Sequence, residues 1–244
     1  KLLYCLLKSF FMNLLEIYLD NKNHLSIDKF REMDFISVRE YKIPIELMME
    51  NAGLQLARLV AGINPQNEKI LIGAGTGNNG GGGLVAARRL AGWGYDVSIH
   101  IPDDDLNDLA AIQLERAISS GANSEGMEDP GVFLDCYLGF SQRLPLSVTL
   151  QEAVEKANNY KAHKISLDLP TGFNKETAES IFKPDAILTL AAMKTELIPV
   201  LERARIFVAD LGLPSVVYKH FGIKQYPGFR ESGILECKTN RTKR

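Results

Sequence analysis

The chain has 244 residues, of which 28 are basic and 30 are acidic, so its formal net charge is −2. This length allows one large domain with a buried core, and the balance of charge argues against a protein that binds nucleic acid through a basic surface. The three cysteines, Cys5, Cys136 and Cys237, are too few and too scattered for a disulfide framework or a zinc site. No apolar run reaches about 18 residues, so no transmembrane helix and no membrane partner are expected. We therefore expect a cytoplasmic protein in a reducing environment.

The two ends of the chain are predicted to lie outside the folded domain. The apolar stretch 2–11 is interrupted by Lys8 and is followed by no small-residue cleavage site, so a start of translation at Met12 is preferred to a signal peptide. The last seven residues carry four basic side chains and no acidic one, which is typical of a solvated end. We predict an N-terminal extension over 1–25, a single domain over 26–227 and a C-terminal tail over 228–244.

Short apolar runs alternate with amphipathic segments along the predicted domain. Helical spacing of apolar residues predicts helices over 45–60, 84–91, 106–119 and 150–159. Apolar runs predict strands at 69–72, 97–101, 132–134, 164–167, 186–190 and 205–209. Strands that alternate with helices require crossover connections, so they indicate a mostly parallel sheet covered on both faces. The predicted fold is one doubly wound α/β domain.

A glycine-rich segment joins the first predicted strand to the helix that follows. Residues 75–83 read Gly-Thr-Gly-Asn-Asn-Gly-Gly-Gly-Gly, with six glycines among nine residues. Such a connection brings backbone N–H groups to a helix N-terminus, where the helix dipole favours a phosphate or pyrophosphate. A tight turn that needs glycine for positive φ is the alternative. Because six glycines exceed the needs of a turn, an anion-binding loop is the preferred interpretation.

Three predicted strands end in aspartate, at Asp135, Asp168 and Asp210. The carboxyl ends of parallel strands share one edge of the sheet, where open α/β sheets bind ligands. An aspartate at a strand end can also cap a turn, and this is the preferred interpretation for Asp210. Asn79, Asp135 and Thr171 together offer only oxygen ligands with a single formal charge, which suits a hard monovalent cation.

Several motifs, taken in their order along the chain, resemble those of the NAD(P)HX epimerases, also called the YjeF N-terminal-domain or apolipoprotein-binding-protein-like family. The resemblance covers roughly residues 28–215 and is carried by segments 47–53, 77–88, 135–140, 168–172, 190–195 and 210–214. It implies a Rossmann-like three-layer αβα sandwich. It also implies epimerisation at C6 of the nicotinamide ring of hydrated NADH and NADPH, a repair reaction in which the R epimer becomes the S epimer that a partner dehydratase restores.

The resemblance also implies the residues of the site. Asp168 is predicted to be the catalytic acid–base residue, and a potassium ion is predicted on Asn79, Asp135 and Thr171, where threonine replaces the usual serine of the family. A homodimer is suggested by the resemblance alone. The residues predicted to contact the substrate are Asn78, Asn79, Gly80, Gly81, Gly82, Gly139, Phe140, Ser141, Gln142, Arg143, Leu144, Pro145 and Asp168.

The sequence departs from the family pattern at two positions and leaves two other functions open. Gly82 stands where the family usually has aspartate, and Glu196 stands where glycine is common. A non-catalytic binding or scaffold protein with the same fold is one alternative, and Gly82 favours it. An NAD-dependent oxidoreductase is the other, with 75–80 as its glycine fingerprint and Asp103 as its ribose ligand.

Overall fold

A computed structural model describes residues 15–20, 22–64, 66–103, 105–124, 126 and 128–239. The proposed start at Met12 and the last five residues lie outside these ranges. Within them, no helix combines the length and the apolar character needed to cross a bilayer.

Strands and helices alternate through most of the described chain. The strands are β1 (Leu15–Tyr18), β2 (His24–Leu25), β3 (Ile70–Ala74), β4 (Val97–His100), β5 (Val132–Cys136), β6 (His163–Leu167), β7 (Ala186–Leu190), β8 (Met193–Lys194), β9 (Arg205–Ala209) and β10 (Ile234–Lys238). The helices are α1 (Ile27–Arg39), α2 (Ile45–Ile63), α3 (Asn78–Gly92), α4 (Asp108–Ser119), α5 (Val148–Asn159), α6 (Ser215–His220) and α7 (Phe229–Ser232), with a 3₁₀ helix over Thr195–Glu202.

The main sheet has eight strands in the order β1-β10-β9-β7-β6-β5-β3-β4. The six strands β9, β7, β6, β5, β3 and β4 run parallel to one another. Each of these six overlaps a run that was predicted to be a strand, and the predicted α/β fold with a mostly parallel sheet is confirmed. A small second sheet pairs β2 with β8 and so joins the start of the domain to the segment after β7.

Helices cover both faces of the sheet, as the side-chain alternation of the strands requires. Ile70 and Ile72 pack with residues of α2, α3 and α4 on one face. Leu71 points to the other face and packs with α5, where α1, α6 and the 3₁₀ helix cover the strands nearer β9. The carboxyl ends of the parallel strands are left open between these two layers.

Three strands, β1, β2 and β10, lie in the segments that were predicted to be an extension and a tail. β10 pairs antiparallel with β9, and β1 pairs parallel with β10 at the edge of the sheet. Leu235 and Cys237 of β10 are buried, so this strand belongs to the core. The predicted domain boundaries at 25 and 228 therefore do not coincide with the ends of the sheet. Strand β10 has only five residues, two of which, Glu236 and Lys238, are charged, so it gives little periodic signal. Its pairing with β9 is a tertiary effect.

Helix α1 was also missed by the sequence-based prediction. Ser26 caps its N-terminus by accepting a hydrogen bond from the Lys29 amide at 3.3 Å. Both carboxylate oxygens of Glu196, the residue that departs from the family pattern, accept from the Ile27 amide at 3.1 Å. A carboxylate at a helix N-terminus is favoured by the dipole, so Glu196 helps to hold α1 against the 3₁₀ helix.

Candidate active site

A cavity of about 310 Å³ opens at the carboxyl ends of β3, β5 and β6. Its walls come from the N-terminus of α3, the loop after β5, the end of β6, and residues of α1 and α2. This is the edge of the sheet at which the sequence predicted a ligand site.

The glycine-rich segment forms the beginning of α3 rather than a long loop. Helix α3 begins at Asn78 after Gly77, and its first backbone hydrogen bond runs from the Gly81 amide to the Gly77 carbonyl at 2.9 Å. The amides of residues 78–80 therefore precede the intrahelical ladder and are available at the dipole end that borders the cavity. The expectation of a loop as far as residue 83 is wrong, whereas the helix N-terminus predicted for an anion is present.

Close packing explains several of these glycines. A Cβ atom at Gly80 would lie 1.8 Å from the Gly75 carbonyl oxygen, and one at Gly83 would lie 2.6 Å from Cβ of Cys136. A Cβ atom at Gly81 would lie 2.6 Å from the Met49 methyl carbon. The glycines thus let α3 approach its neighbours closely. The number of glycines in the sequence could not distinguish this packing role from a role in anion binding.

Asp168 is buried at the end of β6 and faces the cavity. Its Oδ1 accepts a hydrogen bond from Lys194 Nζ at 2.8 Å, and its Oδ2 accepts one from the Phe140 amide at 2.7 Å. Its φ of 67° places it in the left-handed region, which is uncommon for a non-glycine residue although aspartate tolerates it better than most. The surrounding contacts hold the carboxylate in one orientation.

Lys194 is fully buried and was not predicted to belong to the site. Besides Asp168, its Nζ donates to the Leu190 carbonyl at 2.8 Å and lies 3.6 Å from the centre of the Phe30 ring. Burial lowers the pKa of the Lys194 ammonium, and the negative charge of Asp168 opposes this effect. The signal in the sequence was a single lysine within the apolar motif of residues 190–195.

Asp34 is a second carboxyl group at the cavity, and it too was missed. It is partly buried in α1. Burial is the first cause that raises the pKa of Asp34, the charge of Asp168 raises it further, and Lys194 opposes both. Since α1 itself was not predicted, nothing in the sequence placed this residue beside the strand ends.

Two of the three predicted cation ligands are in contact. Asp135 is fully buried at the end of β5, and its Oδ1 accepts from Thr171 Oγ1 at 2.5 Å while its Oδ2 accepts from Ser166 Oγ at 2.7 Å and from the Thr171 amide at 2.9 Å. Burial raises the pKa of Asp135 to about 6, although these hydrogen bonds oppose the shift. Asn79 instead donates to the Leu167 carbonyl at 3.3 Å. Among the described residues there is no cluster of three or more His, Cys, Asp or Glu that could hold a metal.

The loop after β5 supplies part of the predicted substrate contact. Gly139, Phe140, Ser141 and Gln142 line the cavity together with Asn78, Asn79, Gly82 and Asp168. Gln142 Oε1 accepts from the amides of Gly172 and Phe173 at 2.7 and 3.0 Å, which ties this loop to the turn after Asp168. The predicted substrate residues that do not line the cavity are Gly80, Gly81, Arg143, Leu144 and Pro145.

The remaining candidate residues have other positions. Asp103, the ribose ligand of the oxidoreductase alternative, is exposed and accepts from the Asp105 amide at 3.2 Å, and it does not line the cavity. Asp210 accepts from the Gly212 amide at 2.9 Å, which confirms the prediction of a turn at this strand end.

Comparison with known proteins agrees with this geometry. Residues 45–196 match the family described as YjeF-related protein N-terminus. A protein from Dehalogenimonas lykanthroporepellens, named NAD(P)H-hydrate epimerase, is 33% identical over 214 residues, which cover 83% of this chain and 87% of that protein. The chain belongs to this YjeF N-terminal family.

A second member of the family has a similar extent. The NAD(P)H-hydrate epimerase of Rhodopirellula baltica is 31% identical over 216 residues, which cover 82% of this chain and 88% of that protein. The fold is also that of the crystal structure of yeast ynu0, which has a TM-score of 0.78 and covers 87% of this chain and 99% of the yeast chain at 20% identity. The YjeF match includes Asp135, Asp168 and Lys194, whereas Asp34 lies before its first residue.

Proposed function

We propose that this YjeF-family protein is an NAD(P)HX epimerase, an isomerase that interconverts the R and S epimers of hydrated NADH and NADPH. The observation that carries the proposal is the Asp168 carboxylate at the cavity wall, held by Lys194 and the Phe140 amide. Two relatives with most of their length matched bear the name of this activity. The exposed position of Asp103 counts against the oxidoreductase alternative.

The geometry suits a dinucleotide that carries a pyrophosphate. The amides at the start of α3 and the helix dipole favour the pyrophosphate, which directs the altered nicotinamide ring towards Asp168. Inversion at C6 requires protons to move onto and away from oxygen. A positioned carboxylate contributes about 10²–10⁴-fold to such a step, so Asp168 is assigned as an acid–base residue.

A potassium ion on Asn79, Asp135 and Thr171 is part of the proposal. The described residues contain no ion pair to Asp135, and a buried carboxylate without a counter-charge is costly. Carboxylate, hydroxyl and amide oxygens suit a hard cation, so the donor set fits. The ion would offset the charge of Asp135 when bound.

Two further parts of the proposal concern the cellular context. We infer that a dehydratase acts on the S epimer produced here, because epimerisation alone does not restore the cofactor. The two described cysteines, Cys136 and Cys237, are free and buried, in keeping with the cytoplasm as the proposed location. A scaffold protein is the second candidate, and Gly82 in the cavity wall is the observation that favours it.

The test is a stereochemical assay with purified protein. R-NADPHX is supplied in a potassium buffer and its conversion to the S epimer is followed, for the parent chain, for Asp168→Asn and for the control Asp210→Asn. We expect the parent and the control to be active and Asp168→Asn to lose about 10²–10⁴-fold in kcat. A folded parent chain that leaves the R epimer unchanged would refute the proposed function, and parental turnover by Asp168→Asn would refute its assigned residue.

A further inference from the structure

Inversion at C6 makes a demand that Asp168 alone does not meet. When a hydroxyl leaves one face of a ring and water enters at the other, a proton is delivered on one side and removed on the other. Asp168 has both oxygens occupied as acceptors, by Lys194 Nζ at 2.8 Å and by the Phe140 amide at 2.7 Å. This arrangement holds a carboxylate and suits the removal of a proton. A second group is needed to deliver one.

Helix α1 places such a group at the same cavity. Phe30 and Asp34 are four residues apart and therefore lie on one face of the helix, and both line the cavity. The Phe30 ring lies 3.6 Å below Lys194 Nζ and 5.2 Å from the Phe140 ring, edge to face. These contacts seat α1 against the Asp168–Lys194 pair, and Asp34 follows one turn later.

The Asp34 carboxyl has no structural partner in the described part of the chain: no hydrogen bond and no ion pair there engages it. Its helix neighbour Asp28 is different, because it pairs with Arg31 at 3.2 Å and with Lys175 at 3.4 Å. Partial burial of an unpaired carboxyl group is unfavourable for folding, and burial accordingly raises the pKa of Asp34. A partly buried carboxyl group at the wall of a cavity, with its pKa raised by burial, suits a general acid that delivers a proton.

We propose that Asp34 is a second catalytic acid–base residue, which acts on the substrate together with Asp168. The inference rests on the proposed epimerase function. In one direction, protonated Asp34 delivers its proton to the C6 hydroxyl, the C6–O bond breaks with its electron pair on oxygen, and water departs. The N1 lone pair forms a C6=N1 double bond.

The second half of the reaction restores the ring at the other face. Water adds to C6, the electrons of the C6=N1 bond return to N1, and the Asp168 carboxylate takes the proton of the entering water. One water leaves and one enters, and nothing is oxidised or reduced. Both carboxyl groups regain their starting protonation by exchange with solvent, and the reverse reaction exchanges their roles.

The test compares substitutions within the same helix. Asp34→Asn keeps the shape of the side chain and removes its proton chemistry, whereas Asp28→Asn changes an exposed carboxyl of α1 and serves as the control. We expect Asp34→Asn to lose about 10²–10⁴-fold in kcat in both directions with KM nearly unchanged, while Asp28→Asn retains parental kinetics. Because an unpaired carboxyl is lost, the melting temperature of Asp34→Asn should be equal to or above that of the parent.

A second variant separates catalysis from folding. Alanine is the best residue for a helix interior, so Asp34→Ala is expected to fold, and added formate should restore part of its kcat without affecting Asp168→Asn. Parental kcat in folded Asp34→Asn, a loss confined to KM, or no rescue by formate would each overturn the assignment. A folded parent chain without epimerase activity would refute the proposed function itself and this inference with it, which distinguishes the two failures.

Discussion

The buried pair of Lys194 and Asp168 gives a prediction that depends on the structure rather than on the reaction. Their side chains are 0% and 1% exposed and are joined at 2.8 Å. Lys194→Met removes the ammonium and leaves the Asp168 carboxylate with the Phe140 amide as its remaining hydrogen-bond donor among the described residues. Breaking a buried ion pair on one side typically costs about 3–5 kcal/mol, because the other charge stays buried without compensation. We expect Lys194→Met to lower the free energy of unfolding by this amount.

The same reasoning predicts strong coupling between the two positions. Asp168→Asn leaves the Lys194 ammonium with the Leu190 carbonyl and the Phe30 ring, so it should be destabilising as well. The double variant leaves neither charge and should cost much less than the sum of the two single variants. Residues of one ion-pair network show interaction energies of about 0.5–3 kcal/mol, and complete burial places this pair towards the upper end.

Equilibrium urea denaturation measures all four corners of this cycle. The single tryptophan, Trp93, and the helical circular dichroism provide two probes, and an unchanged slope m shows that the two-state comparison is valid. Lys175→Met is the control, since Lys175 pairs with Asp28 at 3.4 Å while both side chains are more than half exposed. Its cost should be within about 1 kcal/mol. The predicted stabilisation by the buried pair would be refuted if the losses of stability in the two single variants simply added up in the double variant. It would also be refuted if Lys194→Met lost no more stability than the control.

Two further predictions concern the cation and Gly82. Replacing potassium by a large organic cation should lower the melting temperature at about pH 7.5 and have less effect at about pH 5. Burial raises the pKa of Asp135 from 3.8 to about 6, so in the absence of a cation its ionisation costs the folded state stability as pH rises through this interval. Equal melting in both salts at the higher pH would contradict the cation site. Gly82 lies in α3 without a positive φ and lines the cavity, so Gly82→Asp should fold and raise kcat more than it changes KM; a folded variant with unchanged kcat would contradict this.

The sequence predicted the parallel strands well because such strands are buried on both faces. Ile187 and Leu188 of β7, for instance, pack on opposite sides of the sheet, and so they appear as a continuous apolar run. The start of α3 was misjudged because glycine disfavours a helix locally. There, the Gly75 carbonyl and Cys136 leave no room for a side chain at Gly80 and Gly83, and no local rule contains those contacts.

The same distinction applies to the site. Asp135, Asp168 and Thr171 could be predicted because strand ends of a parallel sheet share one edge. Lys194 and Asp34 could not, since the contact that brings α1 to the cavity joins Phe30 to a lysine far along the chain. Asp34 has no signature in its own segment, and Lys194 has only that of a single lysine within an apolar motif.

Three unfavourable features of this chain lie together at one cavity. Asp168 has a left-handed backbone, Lys194 is a fully buried lysine, and the Asp34 carboxyl lines the cavity without a partner in the described residues. Each of these lowers the stability of the folded state or requires compensation elsewhere. A scaffold that needs only the fold would gain stability by replacing Asp34 with a neutral residue, and it would lose little by replacing Lys194 and Asp168 together with apolar residues of similar volume. Their presence together, at the edge of the sheet where the helix N-terminus meets the strand ends, is therefore better explained by proton transfer than by architecture, even with glycine at position 82.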